Sequence, residues 1–292
     1  MLSLLIPTYN YNVEPLVLEL QKQAEALGIA YEIIVFDDAS NEKQNIISDF
    51  NQFIHFENND TNLGRTQTRL KLALKAKFDN LLFLDADVLP EQNNFLATYL
   101  PFFASTYSVV CGGCSYEERS NNAAQILRWK YGKEREEKKA SVRNKNPYSS
   151  VFSGNILIKK ELFLKYNFNE TANWYGMDIY FAYQLFANNV PVKHLDNAVI
   201  HLGLESNEVF LKKSLESVVS RHTFLADQPN IEKINSLLKH YKTLKKMGIA
   251  KLFGKTFFLF KPALERNILS KNPNLLYFDI YRLGYLCNLE NN

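Results

Sequence analysis

The sequence predicts an α/β fold, in which a mostly parallel central sheet is flanked by helices and followed by a mainly helical C-terminal extension. Short, continuously apolar runs occupy residues 2–6, 32–36 and 80–84, as expected for strands buried on both faces of a parallel sheet. Segments with apolar residues at helical spacing alternate with these runs, which is typical of strand–helix–strand units. Beyond about residue 206 we expect mainly helices.

The first strand–helix–strand unit opens the chain. Pro7 is expected to stop the first strand, because proline cannot donate to a strand ladder. The helix that follows has Asn12 available as a cap and Gly28 placed to end it. The apolar residues at helical spacing within it are Leu16, Leu20, Ala24 and Leu27.

Acidic residues follow two of the predicted strands. Asp37 and Asp38 come after the second of the three strands, and Asp85 and Asp87 follow the third. Ligands of open α/β sheets bind outside the carboxyl ends of the strands. The two acidic pairs therefore predict one polar site.

Further elements follow the same reasoning in chain order. They are predicted strands at residues 46–50 and 53–56, a helix over about 64–77, a helix and a mobile loop within 117–146, an ordered segment at 151–159, a helix at 178–187 and a short strand near 198–201.

Composition favours a globular protein in a reducing compartment. Hydrophobic residues make up 46% of the chain and charged residues 22%, which argues against disorder. The net charge of +3 is too small to imply a nucleic-acid partner. Three cysteines cannot all pair, and the sequence has neither a signal-peptide pattern nor a run of about twenty apolar residues. We expect a cytoplasmic protein, with any membrane contact peripheral and at the inner face.

The sequence Asp85-Ala86-Asp87 is typical of a site for a hard cation. Two carboxylates at a strand exit offer the oxygen ligands that Mg²⁺ or Mn²⁺ prefers, and the small residue between them lets the backbone approach a phosphate. Taken alone, a strand-end turn with solvated acids explains it equally well. Asp37 and Asp38 add charges that repel unless a cation or hydrogen-bond donors stand between the pairs. The joint occurrence favours the metal site.

Six segments resemble, in order and spacing, the inverting family-2 glycosyltransferases with the GT-A fold, a Rossmann-like architecture. The resemblance spans roughly residues 2–203. The segments are Ile6-Pro7-Thr8-Tyr9-Asn10, Ile34-Val35-Phe36-Asp37-Asp38-Ala39-Ser40, Asn62-Leu63-Gly64-Arg65, Leu82-Phe83-Leu84-Asp85-Ala86-Asp87, Ser153-Gly154-Asn155-Ile156-Leu157-Ile158-Lys159 and Tyr175-Gly176-Met177-Asp178.

The resemblance implies a nucleotide-binding set. Its members are Pro7, Thr8 and Tyr9, which would line the nucleobase pocket, together with Asp37, Asp38, Arg65, Arg69 and Asp85. Asp38 or its neighbour Asp37 would accept from the base, and Arg65 or Arg69 would approach the nucleotide. Asp85 would lie near the ribose and the metal.

The resemblance also implies metal ligands and sugar contacts. Asp87 would be the principal ligand of Mn²⁺ or Mg²⁺, with Asp85 beside it. His201 matches a histidine that contacts the metal or diphosphate in some relatives, although a lone histidine is as often structural. Asn155 would lie near the transferred sugar or acceptor, and Trp174 is a candidate for acceptor contact.

Asp178 matches the carboxylate that serves as catalytic base in the family. Members usually carry Glu before this residue, whereas Met177 stands here. The departure puts in doubt the supporting contact of that Glu, and with it the class of acceptor. Asp178 also stands where an acid caps a helix, and Glu170 is the next carboxylate to consider.

The C-terminal extension contains a basic patch across residues 239–271. Its basic members are Lys239, Lys242, Lys245, Lys246, Lys251, Lys255, Lys261, Arg266 and Lys271, with Glu265 the only acid among them. Phe253, Phe257, Phe258 and Phe260 interleave with them, as in helices at an anionic membrane surface. Packing of these rings onto the catalytic domain is the alternative, and the sequence leaves both open.

The resemblance therefore implies an enzyme that transfers a sugar, with inversion, from a nucleoside diphosphate sugar to a hydroxyl of a glycan or lipid-linked saccharide. A UDP-sugar is the favoured donor. We expect a catalytic domain at residues 1–205, with a nucleotide-sugar half at about 1–110 and an acceptor half at about 111–205, and a basic helical extension at 206–292. The alternatives are a nucleotidyltransferase, which should show a glycine-rich loop near its first strand, and a catalytically silent sugar-nucleotide or glycan-binding module.

Overall fold

A computed structural model describes residues 1–41, 52–118, 122–169 and 174–289. By its internal contacts the chain divides into two compact units. The first unit is Met1–Tyr116, Glu137–Asn173 and Gln184–Gly203, and the second is Glu117–Glu136, Trp174–Tyr183 and Leu204–Asn292. The second unit thus includes two segments that precede residue 205, where we expect the functional boundary. The strand predicted at 46–50 lies outside the described residues.

Ten strands and eleven α-helices are found in the described parts of the chain. The strands are β1 (Leu2–Thr8), β2 (Tyr31–Asp37), β3 (Ile54–Asn58), β4 (Asn80–Leu84), β5 (Val88–Pro90), β6 (Val109–Cys111), β7 (Cys114–Ser115), β8 (Asn155–Lys159), β9 (Val192–His194) and β10 (Val199–His201). The helices are α1 (Glu14–Leu27), α2 (Arg65–Lys75), α3 (Phe95–Tyr99), α4 (Ile126–Tyr131), α5 (Ala140–Arg143), α6 (Lys160–Tyr166), α7 (Asp178–Ala187), α8 (Asn207–Leu225), α9 (Ser236–Lys246), α10 (Ala250–Ile268) and α11 (Leu275–Leu289).

The central sheet of the first unit has seven strands in the order β3-β2-β1-β4-β8-β6-β9. Strand β1 pairs in parallel with β2 and β4, while β8 is antiparallel to β4 and β6. The predicted α/β fold with a mostly parallel sheet is confirmed. Because β2, β1 and β4 are parallel neighbours, their carboxyl ends share one edge of the sheet, and the two acidic pairs lie there.

The first strand continues through Pro7 to Thr8, so the expectation that Pro7 ends it was wrong. The hydrogen bonds from Leu2 N to Ala30 O and from Asp38 N to Thr8 O show that the backbone groups of the even-numbered residues of β1 face β2. Those of the odd-numbered residues face β4. The nitrogen of Pro7 therefore faces β4, where the pairing already ends at Leu5. The missing N–H of proline interrupts no ladder there, and the pairing with β2 can continue.

A second sheet of the first unit has the order β5-β10-β7 and was predicted only in its β10 strand. Strand β10 is antiparallel to β5, with His201 opposite Val88, and parallel to β7. Strands of two or three residues are too short to give a periodic pattern. This small sheet places His201, at the end of β10, beside Asp87.

The helices of the second unit surround an apolar core of their own, made of Leu127, Phe210, Leu211, Phe257, Ile268, Leu275, Phe278 and Tyr281. Helix α8 is capped by Ser206, whose hydroxyl accepts from Val209 N at 3.3 Å. The expectation of mainly helices after residue 206 is confirmed. In the described chain, no helix has both the length and the apolar character needed to span a membrane.

Candidate active site

Asp85, directly after β4, is held between two arginines of α2. Arg65 Nη2 donates to both carboxylate oxygens, at 2.7 and 2.6 Å, and Arg69 Nη2 donates to Oδ1 at 2.7 Å. The two arginines are four residues apart and so lie on the same face of the helix. Arg69 also donates to Ser153 O at 2.7 Å, which connects α2 to the segment before β8.

The charge of Asp85 is compensated within the protein. Burial alone would raise the pKa of its carboxyl, but the guanidinium groups of Arg65 and Arg69, with a smaller effect of His201, hold the pKa below its usual value. The side chain of Arg69 is 6% exposed and that of Arg65 is 42% exposed. The ion pair of Asp85 with Arg69 is therefore buried, whereas the ion pair with Arg65 is partly exposed to water.

Asp87 faces His201 across the small sheet. Asp87 Oδ2 and His201 Nε2 are 3.6 Å apart, and Leu202 N donates to Asp87 O at 2.8 Å. Burial raises the pKa of Asp87 above its usual value, His201 acts in the opposite direction, and Asp85 adds to the rise. The ring of Tyr116 lies 5.5 Å from the imidazole of His201. Asp87 thus lacks the guanidinium clamp that Asp85 has.

Two glycines give the carboxylates their space. A Cβ at Gly154 would lie 2.3 Å from Asp85 Oδ2, and a Cβ at Gly203 would lie 2.1 Å from Asp87 Oδ2. Neither position can carry a side chain unless the carboxylate moves. The sequence around β8 and β10 therefore fixes where both acids lie.

The donor set near Asp87 is small. Among the described residues, no three His, Cys, Asp or Glu side chains cluster in the way of a complete metal site. Both oxygens of Asp85 accept from arginine, so the pair that fits a cation is Asp87 and His201. One carboxylate and one imidazole suit Mn²⁺ better than Mg²⁺. A cation held there would depend on further oxygen ligands from a nucleotide or water.

Asp38 organises the loop that leads into α2. Its carboxylate accepts from Leu63 N and Gly64 N, both at 2.8 Å, and from Asn59 Nδ2 at 2.8 Å. The side chain is 5% exposed. Asp37 Oδ1 accepts from the backbone and hydroxyl of Ser40. Contact of either acid with a nucleobase stays a prediction, and the structure shows Asp38 already bound to three donors.

The loop after β1 is joined to the loop after β2. Asn10 N donates to Ser40 Oγ at 2.7 Å, and Asn41 N donates to Asn10 Oδ1 at 2.9 Å. Thr8 is buried at the end of the strand, next to the half-buried Pro7, and its hydroxyl donates to Tyr11 O. Tyr9 is 47% exposed and free to meet a ligand with its ring. These loops thus form a connected rim at the carboxyl edge.

Asn155 is placed inside the protein, not at a surface. It is fully buried, its amide nitrogen donates to Gly113 O and Asn197 O at 2.9 Å, and its amide oxygen accepts from Tyr99 Oη at 2.6 Å. Direct contact with a sugar would require these hydrogen bonds to break. The described contacts support a structural role that joins β8 to the loops around it.

Asp178 and Trp174 belong to the second unit. Asp178 is the first residue of α7, as predicted, and is half-buried. Met177, in the place of the usual Glu, is buried. Trp174 packs edge-on against Phe224, with ring centroids 5.2 Å apart. Glu170, the other carboxylate considered, lies outside the described residues.

Comparison with known families decides what this site belongs to. Residues 3–166 match the model of "Glycosyl transferase family 2". The chain belongs to glycosyl transferase family 2. An "Uncharacterized glycosyltransferase" of Haemophilus influenzae is 35% identical over 95 residues, which is 32% of this chain and 32% of that protein. The alignment thus spans about a third of the length of this curated relative.

Solved structures support the fold. S. aureus TarS 1-349 in complex with UDP-GlcNAc has a TM-score of 0.52 at 16% identity, over 99% of this chain and 90% of that chain. The mannosyltransferase PcManGT from Pyrobaculum calidifontis, in complex with GDP-Man and Mn²⁺, has a TM-score of 0.61 at 13% identity, over 100% and 86%. The predicted GT-A fold of this family-2 chain is confirmed.

Sequence reasoning missed several residues of this family-2 site. Ser153 accepts from both arginines of the clamp, through its hydroxyl and its carbonyl. Burial raises the pKa of the Tyr11 phenol, and the nearby carboxylate of Asp87 raises it further. Gly203 follows the last strand with no side chain. Gly203, two residues after His201, could have indicated that space is needed there, while nothing in the spacing of the sequence indicates Ser153 or Tyr11.

The two arginines of the clamp should differ in their effect on stability. We expect Arg69→Met to lower the free energy of unfolding by about 3 kcal/mol, because it leaves a buried carboxylate short of a partner. Arg65→Met should cost less than about 1 kcal/mol, because its ion pair is exposed to water. Urea denaturation measures both values. The double variant Arg69→Met/Asp85→Asn should recover part of the loss, and equal losses for the two single variants would contradict this assignment.

Proposed function

We propose that this chain transfers a sugar from a nucleoside diphosphate sugar, with a UDP-sugar favoured, to a hydroxyl of a glycan or lipid-linked saccharide, with inversion at the anomeric carbon. Membership of the family supports glycosyl transfer. The observation that carries the proposal is that two neighbouring acids have different partners. Asp85 is paired with Arg65 and Arg69, whereas Asp87 faces His201.

The clamp supports a role in donor binding. Arg65 is partly exposed and makes the outer ion pair of Asp85, so it can contact a diphosphate without leaving the carboxylate. Arg69 is buried beneath it and keeps Asp85 ionised and in place. Asp85 would then offer its remaining acceptor capacity to ribose hydroxyls, as the family resemblance implies.

Asp87 and His201 would hold the divalent cation. A cation bound there would offset the negative charge that develops on the leaving diphosphate. Without one, the carboxylate of Asp87 faces a ligand of the same sign of charge, and among the described residues no arginine hydrogen-bonds it as Arg65 and Arg69 do Asp85. Mn²⁺ in the PcManGT complex supports a cation of this kind.

Asp178 is proposed as the base that removes the proton of the acceptor hydroxyl. It is the first residue of α7, a helix of ten residues, and it matches the carboxylate of the family's catalytic turn. A carboxylate positioned within hydrogen-bond reach of the acceptor hydroxyl can take its proton. The burial of Met177 supports this reading, since an apolar residue there leaves Asp178 as the one acid of the turn.

A screen of nucleotide sugars with Mn²⁺ tests the function, with release of the nucleoside diphosphate as the signal. The TarS complex with UDP-GlcNAc and the PcManGT complex with GDP-Man make UDP-sugars and GDP-mannose the first donors to include. Release that requires a donor, a cation and an acceptor supports the proposal. Binding without any release across the panel would favour a catalytically silent module.

Replacement of the proposed base should separate chemistry from binding. Asp178→Asn keeps a capping oxygen and a similar shape but loses the basic carboxylate, so transfer should fall about 10²- to 10⁴-fold. Affinity for UDP and the melting temperature should stay close to those of the parent, because an Asn also caps the helix. A variant that transfers sugar at the parent rate would remove Asp178 from the role of base.

We also propose that α9 and α10 contact anionic membrane at the surface. Phe257 is buried in the core of the second unit, whereas Phe258, Leu259 and Phe260 are 53, 78 and 63% exposed. Exposed Lys251 and Lys255 flank them on α10. Lys242 is paired with Glu232 at 3.1 Å, so the patch is less basic than the sequence alone suggests. Phe257 therefore packs within the second unit, and membrane contact is proposed only for the exposed residues of α10.

Exposed apolar residues and lysines on one helix should bind anionic vesicles weakly. We expect the chain to float with vesicles that contain phosphatidylserine at low salt and to be released at high salt, because each basic residue near the surface contributes about 1 kcal/mol. Replacement of Phe258, Leu259 and Phe260 by serine should abolish flotation. Leu276→Ser, at an equally exposed site on α11, is the control. Flotation that survives the triple replacement would contradict this contact.

A further inference from the structure

Arg221, on α8 of the second unit, is a charged side chain without an acidic partner among the residues that the structure describes. The residue is half-buried and its Nε atom is fully buried, and no hydrogen bond or ion pair joins the side chain to another residue in the described part of the chain. Buried charges are normally paired, because the loss of hydration costs several kcal/mol per ion. A guanidinium that is half-buried, with one buried nitrogen left without a partner among the described residues, therefore needs a physical explanation.

Helix α11 packs against α8 and carries a second arginine, Arg282, whose charge acts on Arg221. Arg282 donates to Asp279 and lies over the rings of Phe278 and Tyr131, at 4.5 and 5.4 Å. Asp279 is shared with Arg135, whose Nη2 donates to it at 2.9 Å. One carboxylate thus serves two arginines. Burial, together with the charge of Arg282, lowers the pKa of Arg221 to about 10.

The position of Arg221 connects this charge to the turn before Asp178. Ser220 Oγ donates to Tyr175 O at 2.7 Å, so α8 packs against that turn within the second unit. The phenol of Tyr175 acts to raise the pKa of Arg221, as expected for two side chains that lie near each other. Because Arg221 directly follows Ser220 on α8, its side chain lies close to the segment that carries the proposed base.

We propose that Arg221 and Arg282 bind a phosphate group of the acceptor. Arginine presents a planar fork of donors that matches phosphate oxygens, and two guanidinium groups with one shared carboxylate leave positive charge for a dianion. The phosphate site stands on the side-chain cluster alone. Its assignment to the acceptor rests on the proposed function, because it uses the role of Asp178.

Thermal shifts with inorganic phosphate test the site without any catalysis. At a concentration about tenfold above its Kd, phosphate should raise the melting temperature of the parent by about 3 °C, measured against sodium chloride of equal ionic strength. Arg221→Met should lose this rise, and Arg266→Met, which removes an exposed arginine of α10, should keep it. In phosphate-free buffer Arg221→Met should melt no lower than the parent, because it removes a half-buried charge that has no acidic partner among the described residues.

Further arms separate the possible sources of the phosphate and the possible failures. Glucose 6-phosphate should stabilise the parent with the same dependence on Arg221, while glucose should not. Stabilisation by inorganic phosphate alone would overturn the assignment to an acceptor. Equal shifts in all variants, or none in the parent, would overturn the site.

Arg221→Lys keeps the charge and should retain part of the shift if Arg221→Met fails to fold. UDP with Mn²⁺ should stabilise Arg221→Met as it does the parent, so loss of that shift would point to the proposed function instead.

Discussion

The ion pairs of Asp85 with Arg65 and Arg69 are the interaction on which the rest of the site depends. They join α2 to the end of β4, and through the carbonyl of Ser153 they reach the segment before β8. The packing around the carboxylate is tight enough to exclude a side chain at residue 154. A charge buried in this way must stay paired. The clamp therefore fixes the carboxyl edge of the sheet in one arrangement.

The same clamp makes the two acids of the Asp85-Ala86-Asp87 sequence chemically different. Asp85 has its charge balanced inside the protein by two guanidinium groups that hydrogen-bond it, whereas the pKa of Asp87 is lowered by His201 and more weakly by Arg65, and burial still raises it above its usual value. A diphosphate that enters this edge meets guanidinium on one side and an uncompensated carboxylate on the other. This difference is the reason for proposing a ligand that arrives together with a cation.

The sequence predicted the parts of the fold that have strong local patterns. Strand β4 and helix α7 have the bounds expected for them, because a short apolar run and a helical spacing define them without help from elsewhere in the chain. Strands β5 and β7, which pair with β10, had no such pattern and form through pairing with distant residues. The acids of the site were predicted from strand ends. The pairing of Arg69 with Asp85 and with Ser153 could not be predicted, because it depends on packing between elements distant in the sequence. The burial of Asn155 could not be predicted for the same reason, since its motif indicates a sugar contact and the structure shows a fully buried amide.

Calorimetric titration of UDP into the protein, with Mn²⁺ or with chelator, tests the central claim most directly. If Asp85 is balanced by the protein and Asp87 by a cation, UDP should bind at least about tenfold more weakly in chelator. Asp87→Asn should reduce this difference, because the uncompensated charge is gone. Equal affinity in Mn²⁺ and in chelator for the parent would contradict the account, since the diphosphate would then need no cation beside Asp87.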